Sequence, residues 1–175
     1  MIRIEQRVIF DTTIFGILAK EENSGEIQLK IKEDPDFKVF GVNAIRREIK
    51  NVNWESKQIQ KIILKIYEFL TEKEYPVDQS IEELAKKYFY KYQEFGGKKD
   101  YQILKTDLLI VATATMKNMD IVVSSDRETM SKDHKAGEKF RKAYREINAV
   151  ERYNNPDFWQ YKELKLRFGF FKKQP

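Results

Sequence analysis

Short apolar runs alternate along the chain with longer stretches whose apolar residues recur every three or four positions. The runs at 3–10, 37–42 and 120–126 are rich in β-branched and aromatic residues, which is typical of strands. The third run, DIVVSSD, is apolar enough to predict an interior strand of a parallel sheet. Strands that alternate with helices in this order predict an α/β fold with a mainly parallel sheet.

The helical periodicity is clearest in the middle of the chain. The segments 56–73 and 81–92 each carry an amphipathic stripe, which core packing explains without any function. Gly96 and Gly97 are predicted to end the second of these helices. The segment 105–118, KTDLLIVATATMKN, is apolar nearly all round and therefore predicts a buried helix.

Further helices are predicted after the first two strands and near the basic end of the chain. The first begins with TTIFGILAKE, and the second is NAIRREIK with Asn43 as its N-cap. A third helix over about 133–149 places apolar residues on one face, namely Ala136, Phe140, Tyr144 and Ile147. Its opposite face carries Lys135, Lys139 and Lys142.

The composition limits the kinds of metal site that the chain can form and indicates its cellular compartment. The chain has 175 residues, 41% hydrophobic and 35% charged, which suits one ordinary domain with a charged surface. The absence of cysteine excludes a disulfide framework and a thiolate zinc site, and a single histidine excludes His-rich metal chemistry. Neither a membrane-length apolar run nor a signal-peptide pattern occurs, so we expect a cytoplasmic protein with no membrane partner.

Positive charge is concentrated towards the C-terminal third. The overall net charge is +5, and the segments 132–145 and 162–173 each carry a net +4. Such a distribution suggests a polyanionic partner, because neutralisation of phosphates dominates nucleic-acid affinity. A solvated charged face explains the same pattern equally well.

Four acids stand at informative places, and each has a structural explanation. Asp11 and Asp126 follow strand-like runs directly, so both should lie at the carboxyl edge of the sheet. Asp11 could cap the next helix, and Asp126 could be a first-turn acid behind an S-x-x-E capping box formed by Ser125 and Glu128.

The other two acids belong to predicted helices. Asp107 lies at the start of the buried helix, where it could stabilise the helix dipole. Glu48 follows the second strand by about one helical turn, and it could pair with Arg46 or Arg47 on an exposed face.

Taken together, the four acids favour a metal site. Carboxylates that converge in partial burial raise one another's pKa, and divalent cations relieve the repulsion. Oxygen ligands suit Mg²⁺ or Mn²⁺. Two such ions about 3.5–4 Å apart could clamp a phosphodiester for in-line hydrolysis by a metal-activated water.

The chain resembles the PIN-domain nucleases, a superfamily of small metal-dependent ribonucleases that includes VapC-like toxins of toxin–antitoxin pairs. The resemblance rests on VIFDTTIF, VNAIRREIK, TDLLIVATA and IVVSSDRET, which occur in the family order across roughly residues 7–130. It implies a three-layer α/β/α fold, dependence on Mg²⁺ or Mn²⁺, and cleavage of single-stranded RNA. The long helices over about 55–95 depart from the simplest family pattern.

Residue by residue, the resemblance makes Asp11, Glu48, Asp107 and Asp126 the catalytic, metal-binding quartet. Thr13 and Ser124 match family positions whose side chains could orient a ligand or water. An antitoxin protein would be a partner if the chain is a toxin, and the family favours a homodimer.

The sequence also suggests how the chain is divided and how RNA is held. We expect a PIN-like nuclease domain over 1–150 and an aromatic, basic extension over 151–175 that packs on the domain or on a partner subunit. Its rings could alternatively stack on single-stranded bases. RNA is expected to bind Lys135, Lys139 and Lys142. The alternative function is a catalytically silent RNA-binding or scaffold module with the same fold.

Overall fold

A five-stranded, all-parallel sheet forms the centre of the computed structural model, which describes residues 4–169. The sheet order is β3-β2-β1-β4-β5. The strands are β1 (Gln6–Phe10), β2 (Phe37–Val42), β3 (Thr71–Tyr75), β4 (Ile121–Val123) and β5 (Asp157–Trp159). Helices flank this sheet, so the predicted α/β fold with a mainly parallel sheet is confirmed.

Eight α-helices connect and cover the strands within the described residues. They are α1 (Thr12–Lys20), α2 (Ser24–Glu33), α3 (Asn43–Asn51), α4 (Lys57–Leu70), α5 (Gln79–Glu94), α6 (Tyr101–Met116), α7 (Glu138–Glu151) and α8 (Tyr161–Phe168). Helices α1, α2 and α4 pack together, whereas α5 packs against α6 and α7. Helix α3 contacts members of both groups, namely α4 and α6. No helix of residues 4–169 is both long and apolar enough to span a membrane.

Strand β1 is the central strand, and its apolar residues are fully buried. Val8 pairs in register with Val39 of β2 on one side and with Ile121 of β4 on the other. Phe10 packs against the rings of Phe15 and Phe37. Because β1, β2 and β4 are parallel, the residues that follow them share one edge of the sheet.

The predicted helix over 56–73 is wrong in its last turn. Helix α4 ends at Leu70, and Thr71–Tyr75 forms β3, which pairs with β2 at the edge of the sheet. The sequence TEKEY carries three charges and lacks the apolar alternation of a strand. Charged residues are common on edge strands, where they discourage pairing with other chains, and here they concealed the strand.

Several helix boundaries also differ from the predictions. Helix α6 begins at Tyr101 with Asp100 as its N-cap, so Asp107 lies in the second turn rather than at the start. Asn43 is the first residue of α3 and not its cap, since its side chain accepts a hydrogen bond from the Val77 N–H. Helix α7 begins at Glu138 after a 3-10 turn over Lys135–Gly137, in which Ala136 is exposed instead of facing the core.

Helix α5 ends as predicted. Gly96 adopts a positive φ of 84°, and the N–H groups of Gly96 and Gly97 donate to the carbonyl oxygens of Gln93 and Tyr92. These two bonds are those of a Schellman motif, in which glycine takes the left-handed position at low steric cost.

The segment after residue 150 adds strand β5 to the edge of the sheet, and helix α8 follows this strand. Strand β5 pairs with β4, and its neighbouring rings point to opposite layers: Phe158 contacts Tyr144 of α7, while Trp159 contacts Phe37. Phe168 of α8 also contacts Phe37, with the two ring centroids 5.0 Å apart. Residues 170–175 of the predicted extension lie outside the described residues.

A buried polar network holds the connection between α7 and β5. Asn148 is fully buried, accepts a hydrogen bond from the Tyr88 hydroxyl at 2.6 Å and donates to the Asn155 side chain at 2.8 Å. The Tyr88 hydroxyl also lies 3.0 Å from Thr115 Oγ1. Helices α5, α6 and α7 are thereby joined to the loop that precedes β5.

We expect Asn148→Ala to lower the free energy of unfolding by about 1–3 kcal/mol, because it leaves the buried Tyr88 hydroxyl without one of its partners. Asn155→Ala removes the exposed end of the same network and should cost less than about 1 kcal/mol. Urea denaturation of both variants measures the difference. Equal losses for the two variants would contradict this account.

Candidate active site

Asp11 occupies the end of the central strand, where it is 3% exposed. Its Oδ1 accepts a hydrogen bond from the Thr12 N–H, so the carboxylate caps α1 as the simplest reading of the sequence suggested. Its Oδ2 accepts from two hydroxyls, Thr13 Oγ1 at 2.9 Å and Ser124 Oγ at 2.8 Å. Asp11 is therefore both a helix cap and the meeting point of two other segments.

The same two hydroxyls hold the loop that follows β4. Ser124 Oγ accepts from the Asp126 N–H at 2.9 Å, and Thr13 Oγ1 accepts from the Ser125 N–H at 3.2 Å. Each hydroxyl thus joins Asp11 to the backbone near Asp126. The structure brings both Thr13 and Ser124 into contact with Asp11.

Glu48 reaches the same region from α3. Its Oε2 accepts a hydrogen bond from Thr12 Oγ1 at 2.5 Å. The alternative pairing of Glu48 with Arg46 is not observed, because Arg46 pairs instead with Glu68 and Glu74.

Asp107 and Asp126 are connected through Thr129. Thr129 Oγ1 donates to Asp107 Oδ2 at 2.9 Å, and Asp126 Oδ1 accepts from the N–H groups of Glu128 and Thr129. The segment around Asp126 is a loop, so the predicted Ser125–Glu128 capping box is wrong. In place of a helix start, the Asp126 side chain closes a tight turn by accepting from the next backbone N–H groups.

All four acids line one open cleft of about 610 Å³. The acids come from the ends of β1 and β4 and from α3 and α6, as the convergence argument predicted. The cleft is also lined by apolar side chains, those of Ile17, Val52, Trp54 and Ile103. Lys20 is the only cation among the lining residues, and it pairs with Glu55.

Burial and negative charge raise the pKa of three of these carboxyls. For Asp11, burial raises the pKa most, and hydrogen bonds from Ser124, Thr13 and Thr12 oppose the shift. For Glu48, burial again dominates, and the charge of Asp11 adds to it. Burial together with the charges of Asp11 and Asp126 raises the pKa of Asp107 to about 8. Full ionisation of all four acids is therefore unfavourable unless a cation binds among them.

The side chains are not arranged as a ready-made ion cage. Within residues 4–169, no group of three or more Asp, Glu or His side chains has the spacing to hold a metal ion as it stands. Hydroxyl and backbone donors occupy oxygens of each acid. In donor type and in excess negative charge, however, the four carboxylates fit a hard divalent cation.

The lysines predicted to bind RNA do not line this cleft. Lys139 Nζ donates to the Gly96 carbonyl, and Lys142 pairs with Glu138 one helical turn away. Lys135 lies exposed in the 3-10 turn before α7.

Several residues that shape the cleft were not among the predicted site residues. Thr12 and Thr129 position Glu48 and Asp107, and Trp54 forms part of the apolar wall, with its Nε1 donating to the Ile49 carbonyl at 2.8 Å. Thr12 adjoins Asp11, which could have signalled its role. Nothing in the sequence around Thr129 predicts its hydrogen bond to Asp107. Nothing around Trp54 predicts that it lines the cleft.

The fold is similar to folds of known structure. Ten chains of solved structures match. One is the crystal structure of VapBC2 from Rickettsia felis bound to a DNA fragment from their promoter. Its TM-score is 0.53 at 12% sequence identity, with 89% of this chain and 98% of that chain covered. At this identity the likeness shows the PIN-like fold alone. Comparisons with protein-family models and with curated proteins find no match.

We expect Asp107→Asn to stabilise the metal-free protein at pH 8. The pKa of Asp107 is about 8 in the folded state against an ordinary 3.8, so its ionisation costs stability progressively as the pH rises from about 4 to about 8. The variant should gain about 1–3 kcal/mol in free energy of unfolding at pH 8 and almost nothing near pH 4.

Urea denaturation at the two pH values, in the presence of a chelator, measures this gain. Asp36→Asn is the matched control, because Asp36 precedes β2 at the opposite edge of the sheet. A less stable Asp107→Asn variant at pH 8 would show that ionised Asp107 is not destabilising.

Proposed function

We propose that the protein is a metal-dependent endoribonuclease that hydrolyses phosphodiester bonds of single-stranded RNA. Asp11, Glu48, Asp107 and Asp126 would hold Mg²⁺ or Mn²⁺. The observation that carries the proposal is the convergence of these four carboxylates in one cleft, where no cation of residues 4–169 forms an ion pair with them. Repulsion among the four carboxylates lowers the stability of the metal-free protein, and a site that binds cations accounts for why these acids lie together.

The chain's own residues orient the acids for this task. Thr13 and Ser124 fix the side chain of Asp11, Thr12 fixes Glu48, and Thr129 fixes Asp107. A bound divalent ion would supply charge neutralisation at the phosphate and lower the pKa of an attacking water. Because this chemistry needs no protein nucleophile, the absence of cysteine and the single histidine are compatible with it.

A catalytically silent RNA-binding module is the second candidate. The observation in its favour is that no three acidic side chains of residues 4–169 are spaced to hold an ion as they stand. An acidic cleft repels phosphate, however, so a protein that only binds RNA gains nothing from it. For this reason we favour the nuclease.

The biological role that we propose is that of a toxin controlled by an antitoxin. Support comes from the fold shared with the VapBC2 structure, which was determined with promoter DNA. Expression of the wild-type chain should then arrest growth, and Asp11→Asn should relieve the arrest. Normal growth on expression of the folded wild-type protein would count against the toxin role while leaving nuclease activity open.

Purified protein should cleave a labelled single-stranded RNA with Mn²⁺ or Mg²⁺ and stop on chelation. We expect Asp11→Asn and Asp126→Asn to lower the cleavage rate at least about 100-fold, because each removes a charged ligand of the ion. Asp36→Asn should cleave like the wild type. Full activity in both cleft variants would refute the assignment of the site.

Metal binding can be tested without activity. At about 100 times its Kd, Mn²⁺ should stabilise the folded protein by about 2.7 kcal/mol and so raise its Tm by several degrees. Asp11→Asn and Asp126→Asn should lose most of this rise, while Asp36→Asn should keep it. A wild-type Tm that does not respond to Mn²⁺ or Mg²⁺ would contradict the metal site and favour the silent module.

A further inference from the structure

The acidic cleft cannot by itself hold a polyanion. Its lining contains four carboxylates and one lysine, Lys20, whose ammonium group already pairs with Glu55. An RNA strand that places one phosphodiester over these acids must therefore be bound through its flanking phosphates. Cations that adjoin the cleft are the groups able to bind them.

A first recess of about 350 Å³ adjoins the cleft on the side of α3 and α6. It is continuous with the cleft, because Glu48, Val52 and Thr106 line both. Its cations are Arg47 of α3 and Lys105 of α6.

A second recess of about 370 Å³ adjoins the cleft on the side of the loop that follows β4. Ser125 lines both cavities. The cations of this recess are Arg127 in the loop and Lys162 in the first turn of α8. The side chain of Gln160 holds its walls together by donating to the carbonyl oxygen of Asp126 at 3.3 Å.

These cations are largely available to a ligand. Arg47, Lys105 and Arg127 form no ion pair with any residue of the described range 4–169, and Lys162 has only a 3.8 Å contact with the adjacent Glu163. The first recess also contains Glu82 and the cleft acid Glu48, whereas Asp133 is the one acid that lines the second. The second recess therefore carries a net positive charge, and the first does so only when Glu48 is engaged by a cation in the cleft.

We propose that single-stranded RNA crosses the acidic cleft with its flanking phosphates bound in both recesses, by Arg47 and Lys105 on one side and by Arg127 and Lys162 on the other. This inference rests on the proposed nuclease function and names the surface that holds its substrate. The basic face of α7 is then not the substrate path. Because the named contacts are to phosphates, they hold the RNA strand without selecting a base sequence.

Fluorescence anisotropy tests the path without requiring cleavage. A fluorescein-labelled polyuridine of about 16 nucleotides is titrated with chelator-treated protein at several salt concentrations. The double variants Arg47→Gln/Lys105→Gln and Arg127→Gln/Lys162→Gln should each weaken binding about tenfold. Each should also make the slope of log K against log salt shallower by about 1.4.

Two further double variants remove the same charge elsewhere. Lys61→Gln/Lys65→Gln lies on the exposed face of α4, and Lys139→Gln/Lys142→Gln lies on α7. Both should bind RNA within about twofold of the wild type. Circular dichroism and Tm of all four variants check that each is folded.

The outcomes separate this inference from the proposed function. A loss of affinity that occurs only in the α7 variant, equal losses in all four variants, or no binding by the wild type would overturn the path. If the recess variants lose affinity as expected but the wild type cleaves no RNA with metal, the path stands and the nuclease proposal fails. If the wild type cleaves RNA and the recess variants bind and cleave normally, the nuclease stands and the path fails.

Discussion

The structure of the cleft depends on one buried carboxylate at the end of the central strand. Asp11 can remain there only because each of its oxygens has a donor: a backbone N–H for one and two hydroxyls for the other. Those two hydroxyls, from Thr13 and Ser124, also accept hydrogen bonds from the loop after β4. The same contacts that satisfy the buried acid therefore place Asp126 beside it. The hydrogen bonds that make burial of Asp11 possible are therefore also the ones that assemble the cleft.

The other acids extend this arrangement outward from the centre of the sheet. Thr12 connects the start of α1 to Glu48, and Thr129 connects the loop after β4 to Asp107. Every acid thus accepts hydrogen bonds from a Ser or Thr hydroxyl or from backbone N–H groups. Within the described residues, none of them forms an ion pair. These partners orient the carboxylates and partly offset the cost of burying them. Burial and the neighbouring acids still raise the pKa of Asp11, Glu48 and Asp107.

The sequence predicted the elements whose physical cause is local. The apolar runs predicted β1, β2 and β4, and acids placed directly after strand-like runs predicted the meeting of Asp11 and Asp126. Strand β3 was misread because an edge strand needs few apolar residues, so its charges continued the pattern of the preceding helix. The hydrogen bonds of Thr12 and Thr129 join residues 36 and 22 positions apart, and no short-range pattern encodes such contacts. The recesses beside the cleft were missed for the same reason, since they exist only where α3 meets α6 and where the β4 loop meets α8.

The contact of Gln160 with the β4 loop has a consequence for the order in which the molecule is assembled. Gln160 follows β5 and reaches back over 34 positions to the carbonyl of Asp126, while Ser124 N–H donates to the carbonyl of Trp159. The loop that carries the fourth acid is therefore braced by residues that leave the ribosome after it. Until β5 has been translated, this loop lacks that support, and Asp11 and Asp107 both take hydrogen bonds from it. A newly made chain would thus complete its cleft only after β5 has emerged and docked, when most of the described chain has been translated.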